Sequence, residues 1–261
     1  MYLDGEAMII SHNNTLRREC GELTLRTKIM RAYFNFAYNP VYDFVVGWLN
    51  LYRKLQERCV EKLELKDNDK VLCVGLGTGN EALRIFKMNR DVSIVGIDYA
   101  QTALRKAQKK ARACGKEIEV LLMDARRLEF PAGSFDKVLC IHVVDFIEEG
   151  EKVTDEILRV LKDGGQFVIT YPSKKEGAKM AFNLLVDNIR RNIDSGSHRI
   201  LAVSKPLAQI LVGIVYLPLY LRPNKAFSYY ELQGIISRLT TGDFQIEEYP
   251  LYNDFIVYGT K

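Results

Sequence analysis

The chain is poor in the residues that announce metal or disulfide chemistry. Its 261 residues include three histidines and five cysteines. The cysteines (Cys20, Cys59, Cys73, Cys114, Cys140) are scattered, odd in number and never spaced as Cys-x-x-Cys. That argues against a disulfide framework and a structural zinc site, and it fits a reducing compartment. No metal is expected. There is no dense Lys/Arg block, and 37 basic against 33 acidic residues leave a net charge of +4. Such a charge permits an anionic partner without demanding one. The N-terminus lacks the charged-then-apolar order of a signal peptide. The most hydrophobic stretch, residues 206–221, has 16 residues without a charge. It is broken by Gly213 and Pro218 and is shorter than the roughly 20 residues of a spanning helix. A cytoplasmic protein is the expectation. Repeats and low-complexity segments are also missing, and the length suits one large α/β domain with an appendage.

What is present is an ordered alternation. Residues 1–24 read as a polar, loosely held arm. From 25 to 65 the spacing is helical and rich in aromatics, and Asn39-Pro40 divides it into two or more helices. Strands are expected over 70–75, 92–97, 118–123, 135–141 and 166–170, with helices over 80–90, 100–114 and 154–161. Gly115 stands where a helix C-terminus favours glycine. Strands alternating with helices imply a parallel, doubly wound sheet. The pattern breaks after Tyr171. Segments 244–249 and 254–259 then read as a closing antiparallel hairpin.

The most informative stretch is Val71-Leu72-Cys73-Val74-Gly75-Leu76-Gly77-Thr78-Gly79, an apolar strand entering three glycines at alternate positions. A helical pattern follows at once. A strand that turns through glycines into a helix leaves backbone N–H groups facing outward, with no Cβ to hold a ligand away. Asp98, at the tip of the second strand, stands where a carboxylate binds a ribose diol, and it equally suits a helix N-cap position. Nicotinamide dinucleotides and other adenosine ligands share this corner. Three features separate them. The glycines are spaced Gly-x-Gly-x-Gly, without the two residues that precede the third glycine of a dinucleotide fingerprint. Asp124-Ala125 ends the third strand, where an adenine amino group could be received. The chain closes with a hairpin rather than a second mononucleotide half.

With Phe130-Pro131, Ser134-Phe135-Asp136 and Leu161-Lys162-Asp163-Gly164-Gly165 in order after them, these motifs resemble the class I S-adenosylmethionine-dependent methyltransferases over about 65–170 and 230–261. The resemblance implies a Rossmann-like α/β fold with S-adenosylmethionine as cofactor. It places the methionine moiety at Gly75, Leu76, Gly77, Thr78 and Gly79, the ribose at Asp98, and adenine beside Tyr99, Asp124 and Ala125. Ile141 is expected to line the same site. Tyr38 and Tyr42 resemble the N-terminal tyrosine that caps the cofactor in some members, with core packing as the competing reading. Cys73 departs from the pattern, because most members carry there an acidic residue that helps organise the glycine loop. Within the family, the layout is similar to the ubiquinone/menaquinone C-methyltransferases and the phospholipid N-methyltransferases. The expected division is an arm and helical cap at 1–64, a cofactor-binding core at 65–173 and 232–261, and a lid insertion at 174–231.

Methyl transfer from a sulfonium is an in-line displacement, so the protein mainly aligns a nucleophile and excludes water. Carbon and oxygen acceptors must also lose a proton. His142, just after the fourth strand, is the expected base, with Asp145 second; a histidine that merely caps backbone groups is the alternative. The lid carries nine Lys/Arg next to its apolar run. That composition suggests a small apolar or amphipathic acceptor such as a lipid or quinone, taken from an anionic membrane surface. Nucleic acid is the less favoured partner, although the basic 105–116 stretch keeps an RNA methyltransferase open. A non-catalytic S-adenosylmethionine-binding protein is a further alternative.

Overall fold

The computed structural model describes residues 25–40, 42–43, 50–88, 90–147, 149–174, 226–249 and 254–261. The lid segment and the arm therefore lie outside the described residues, apart from the lid's two ends. Helix α1 (Leu25–Tyr33) runs into a π-helical segment, Phe34–Tyr38, and α2 spans Asn50–Glu61. The core then alternates β1 (Lys70–Val74), α3 (Asn80–Lys87), β2 (Ser93–Asp98), α4 (Gln101–Ala113), β3 (Glu119–Leu122), β4 (Phe135–Cys140), α5 (Gly150–Val160) and β5 (Leu161–Pro172). It closes with α6 (Tyr229–Leu239), β6 (Phe244–Tyr249) and β7 (Asp254–Thr260).

The strands form one seven-stranded sheet in the order β3-β2-β1-β4-β5-β7-β6. The first five are parallel, and β7 inserts antiparallel between β5 and β6. Alternation along β1 explains the two cores, since successive side chains leave a strand on opposite faces. Val71 and Cys73 pack with Leu55, Cys59, Ile85, Leu104 and Ala107 under α2, α3 and α4. Leu72 and Val74 pack with Val153, Ile157, Leu232 and Ile236 under α5 and α6. Both faces are covered, as a parallel sheet requires. The edge strand β6 is fastened by Glu247, which receives Arg58 at 2.9 Å and Lys62 at 3.1 Å from the α2 region.

Most differences from the sequence reading lie at element ends. β5 begins at Leu161 rather than 166, because Leu161 already pairs with Phe135 and a register shift absorbs the residues before Lys137↔Gln166. The Gly164-Gly165 pair is thus an irregularity inside the strand. Helix α5 starts at Gly150, four residues before the expected 154. α6 was not anticipated at all. Its start is set by a capping box, in which Ser228 accepts from Glu231 N–H while the Glu231 carboxylate takes Ser228 N–H. It begins inside the segment assigned to the lid. No described helix is long and apolar enough to cross a membrane.

Candidate active site

Among the described residues, the glycine loop, Asp98, Asp124 and His142 lie at the carboxyl ends of the parallel strands, where open α/β sheets place their ligands. After β1, the backbone takes positive φ at Gly75, Gly77 and Gly79 (+68°, +55° and +83°). Gly79 is forced by packing: a Cβ there would meet Ala107 Cβ of α4 at 2.8 Å. Gly77 differs. Among the described residues, a Cβ on it would meet nothing nearer than Gly75 O at 3.9 Å, so the left-handed turn has an open face towards them. Leu76 is 2% exposed and lies over Gly96, so only its backbone belongs to the loop.

Asp98 fixes the loop from below. Its Oδ2 accepts Gly77 N–H at 2.9 Å and its Oδ1 accepts Ala100 N–H at 2.8 Å. Burial raises its pKa, and the amide donors only partly oppose that. The N-cap of α4 is Ala100, without a side-chain cap, so Asp98 braces the turn before the helix and does not cap it as the sequence suggested. Tyr99 follows it into an aromatic group in which Phe34 meets Tyr99 at 5.3 Å, Tyr38 at 4.9 Å and Phe146 at 5.7 Å between ring centroids. Ala125 and Ile141 are buried near the strand ends. Asp124 is differently placed from an open acceptor of an adenine amine. Arg126 grips it, with Nη2 at 2.6 Å from Oδ2, and also reaches Glu149 at 3.2 Å. Burial opposes ionisation of Asp124, but Arg126 outweighs it and holds the carboxyl below its ordinary range.

Tyr42 and Tyr52 share a hydroxyl contact at 3.0 Å, and Tyr38 packs on Tyr42 at 5.3 Å. Burial, with Tyr52 beside it, pushes the Tyr42 phenol well above its usual value. Cys73 is buried, and burial with the nearby Glu81 raises its thiol. The carboxylate missing at 73 has a neighbour in Glu81, in the first turn of α3. Glu81 accepts Gln56 Nε2 at 2.5 Å and is itself raised by burial.

Beyond β4, His142 adopts φ +54°, unusual for a residue with a Cβ. Its N–H donates to Thr170 Oγ1 at 2.9 Å. Its ring is clamped from both sides: Nδ1 lies 2.8 Å from Asp145 Oδ2 and Nε2 lies 2.9 Å from Asp254 Oδ2. Tyr52 stands edge-on to the imidazole at 5.2 Å. Burial alone would lower the imidazole's pKa, but the two carboxylates overcome it and hold it well above its usual value. Asp254 is raised by burial, with His142 pulling against that. The sequence reading named His142 and Asp145 but not Asp254, which the fold brings against them. Its only signal was an acidic residue opening the last strand, and its role depends on β7, not β6, lying beside β5. Donor atoms of all three lie within 4.8 Å of one another. A divalent ion could use them only by displacing the imidazole from one of its carboxylates.

Residues 72–169 match the family model described as a methyltransferase domain. The sheet core of this chain is therefore similar to the class I S-adenosylmethionine-dependent methyltransferases. It is 33% identical over 143 residues to a phosphatidylethanolamine N-methyltransferase of Cereibacter sphaeroides, covering 54% of this chain and 66% of that protein. It is also 33% identical over 142 residues to a demethylmenaquinone methyltransferase of Thermus thermophilus, covering 53% of this chain and 64% of the relative. The chain thus spans just under two thirds of the length of these relatives. A solved S-adenosylmethionine-dependent methyltransferase from Aquifex aeolicus shares the fold, with TM-score 0.53 and 19% identity over 78% of this chain and 88% of that one. The superfamily's cofactor is S-adenosylmethionine. The open face at Gly77, backed by the Asp98 carboxylate and flanked by Tyr99 and its aromatic neighbours, fits an adenosine ligand.

Proposed function

We propose that this protein transfers a methyl group from S-adenosylmethionine to a small apolar or amphipathic acceptor, such as a lipid or a quinone. The observation that carries the reading is the Gly77 turn, open where a Cβ would otherwise sit and held by Asp98 through its N–H at 2.9 Å. In this reading the 75–79 loop holds the methionine moiety through its backbone. Asp98 accepts the ribose hydroxyls through the lone pairs that its two amide contacts leave. Tyr99, Ala125 and Ile141 flank the adenine, with Asp124 reaching its amino group from beside Arg126. Tyr38 and Tyr42 close the site from the N-terminal cap. The cofactor supplies an electrophilic methyl group; the chain's task is to align the acceptor and keep water out.

His142, just after β4, is the group we assign to taking a proton from a carbon or oxygen acceptor, with Asp145 orienting its ring and Nε2 exchanging its contact with Asp254 for the acceptor. Because Asp145 and Asp254 raise the imidazole's pKa, its reactive neutral form grows as pH rises. The rate is therefore expected to climb with pH. An amine acceptor that arrives neutral would not need His142.

The named activities of the two relatives favour an acceptor with an apolar body, and the composition of 174–231 agrees with one drawn from an anionic membrane surface. Transfer of radiolabelled methyl to lipid, quinone and RNA fractions tests this. Label is expected in the lipid or quinone fraction, and label found only in RNA contradicts it.

A further inference from the structure

The strongest feature outside the strand tips is a ladder between the N-terminal segment and α4. Asn35 Oδ1 accepts Thr102 N–H at 3.1 Å and Thr102 Oγ1–H at 2.8 Å, capping the start of α4. One turn on, Lys106 Nζ donates to Asn39 O at 2.6 Å. Another turn on, Lys110 Nζ meets Asp43 Oδ1 at 2.5 Å. Positions 35, 39 and 43 pair with 102, 106 and 110, each series stepping by four. Residues four apart share a helix face, so two helical segments run parallel and are pinned rung by rung.

The last rung does more than join the two segments. Lys110 Nζ also donates to Thr78 Oγ1 at 3.0 Å and Asn80 Oδ1 at 2.9 Å. Asp43 Oδ1 receives Thr78 Oγ1–H at 2.6 Å. Thr78 is in the glycine loop, is 1% exposed and stands directly before Gly79. Gly79 in turn packs on Ala107, one turn before Lys110. The ion pair therefore bridges three parts of the chain: cap, loop and α4.

The geometry points to Asp43 and Lys110 as positioning residues for the cofactor: together they set the Thr78-Gly79-Asn80 turn and fasten the N-terminal segment beside it. This rests on the reading of 75–79 as the cofactor loop. The pair is a quarter to a third exposed, with side chains at 33% and 26%. It therefore sits between a fully solvated bridge, which contributes little, and a buried one, whose breakage is costly.

The test is calorimetric titration of the full chain with S-adenosylhomocysteine, for wild type, Asp43→Asn, Lys110→Met and the double variant, paired with steady-state kinetics. Each single variant is expected to weaken binding about tenfold, the value of a partly buried charged contact. The double variant should bind no worse than either single, because the two side chains act as one unit. KM for S-adenosylmethionine should rise while kcat holds, a split that general destabilisation would not produce. Unchanged affinity in the single variants, or losses that add in the double variant, would overturn the assignment while leaving the methyltransferase reading intact. Wild-type protein that binds no S-adenosylhomocysteine would overturn both.

Discussion

His142 concentrates uncomfortable chemistry in one side chain: left-handed backbone, a side chain only 17% exposed and two carboxylates in contact. Removing the imidazolium would leave Asp145 and Asp254, 9% and 5% exposed, facing each other unbalanced. His142→Asn keeps a residue that tolerates the left-handed conformation, so its cost isolates the charge. A loss of about 3 kcal/mol is expected, the scale of breaking a buried ion cluster, and Asp254→Asn added to it should restore part of that. The folded imidazole titrates above its unfolded value, so its stabilisation is complete below about pH 6.5 and is lost as pH rises through the folded value. Thermal denaturation across the alkaline range should show that decline in wild type and not in His142→Asn. At this scale the sequence was legible where a motif fixes a position, as with Gly77 and Asp98. It was not legible where a role depends on a distant strand, as with Asp254. Cys73 shows the same limit. The departure at 73 was plain, but the buried Glu81–Gln56 contact depends on how α2 packs on α3.

Among the elements, a local end signal was read correctly for α4 and passed over for α6. Gly115 ends α4 as expected, with φ +67° and Lys116 N–H returning to Ala111 O at 3.0 Å. The basic face of α4 has a use that composition could not reveal, since Lys106 and Lys110 hold the N-terminal segment. Its charge is thus partly spent inside the molecule. Helix α6 was overlooked although Ser228-Tyr229-Tyr230-Glu231 spells a capping box. Ser228→Ala should cost about 1 kcal/mol in chemical denaturation, the usual value of a lost N-cap. A change indistinguishable from zero would mean that packing of Leu232 and Ile236, both fully buried, sets the helix unaided.

For the whole molecule, the sheet order brings the glycine loop, Asp98, the His142 trio and the N-terminal cap to one edge, although they come from opposite ends of the chain. Alternation and the closing hairpin were enough to give this architecture from sequence, because parallel strands with short crossovers admit few arrangements. The order β5-β7-β6 was not, since a hairpin can add by either strand. The central claim is that this edge takes adenosine bearing a sulfonium or its thioether product. Isothermal titration of the full chain with S-adenosylhomocysteine and, separately, with NAD tests it most directly. One molecule of S-adenosylhomocysteine should bind per chain, with no heat from NAD; binding of NAD alone, or of neither, would contradict the account.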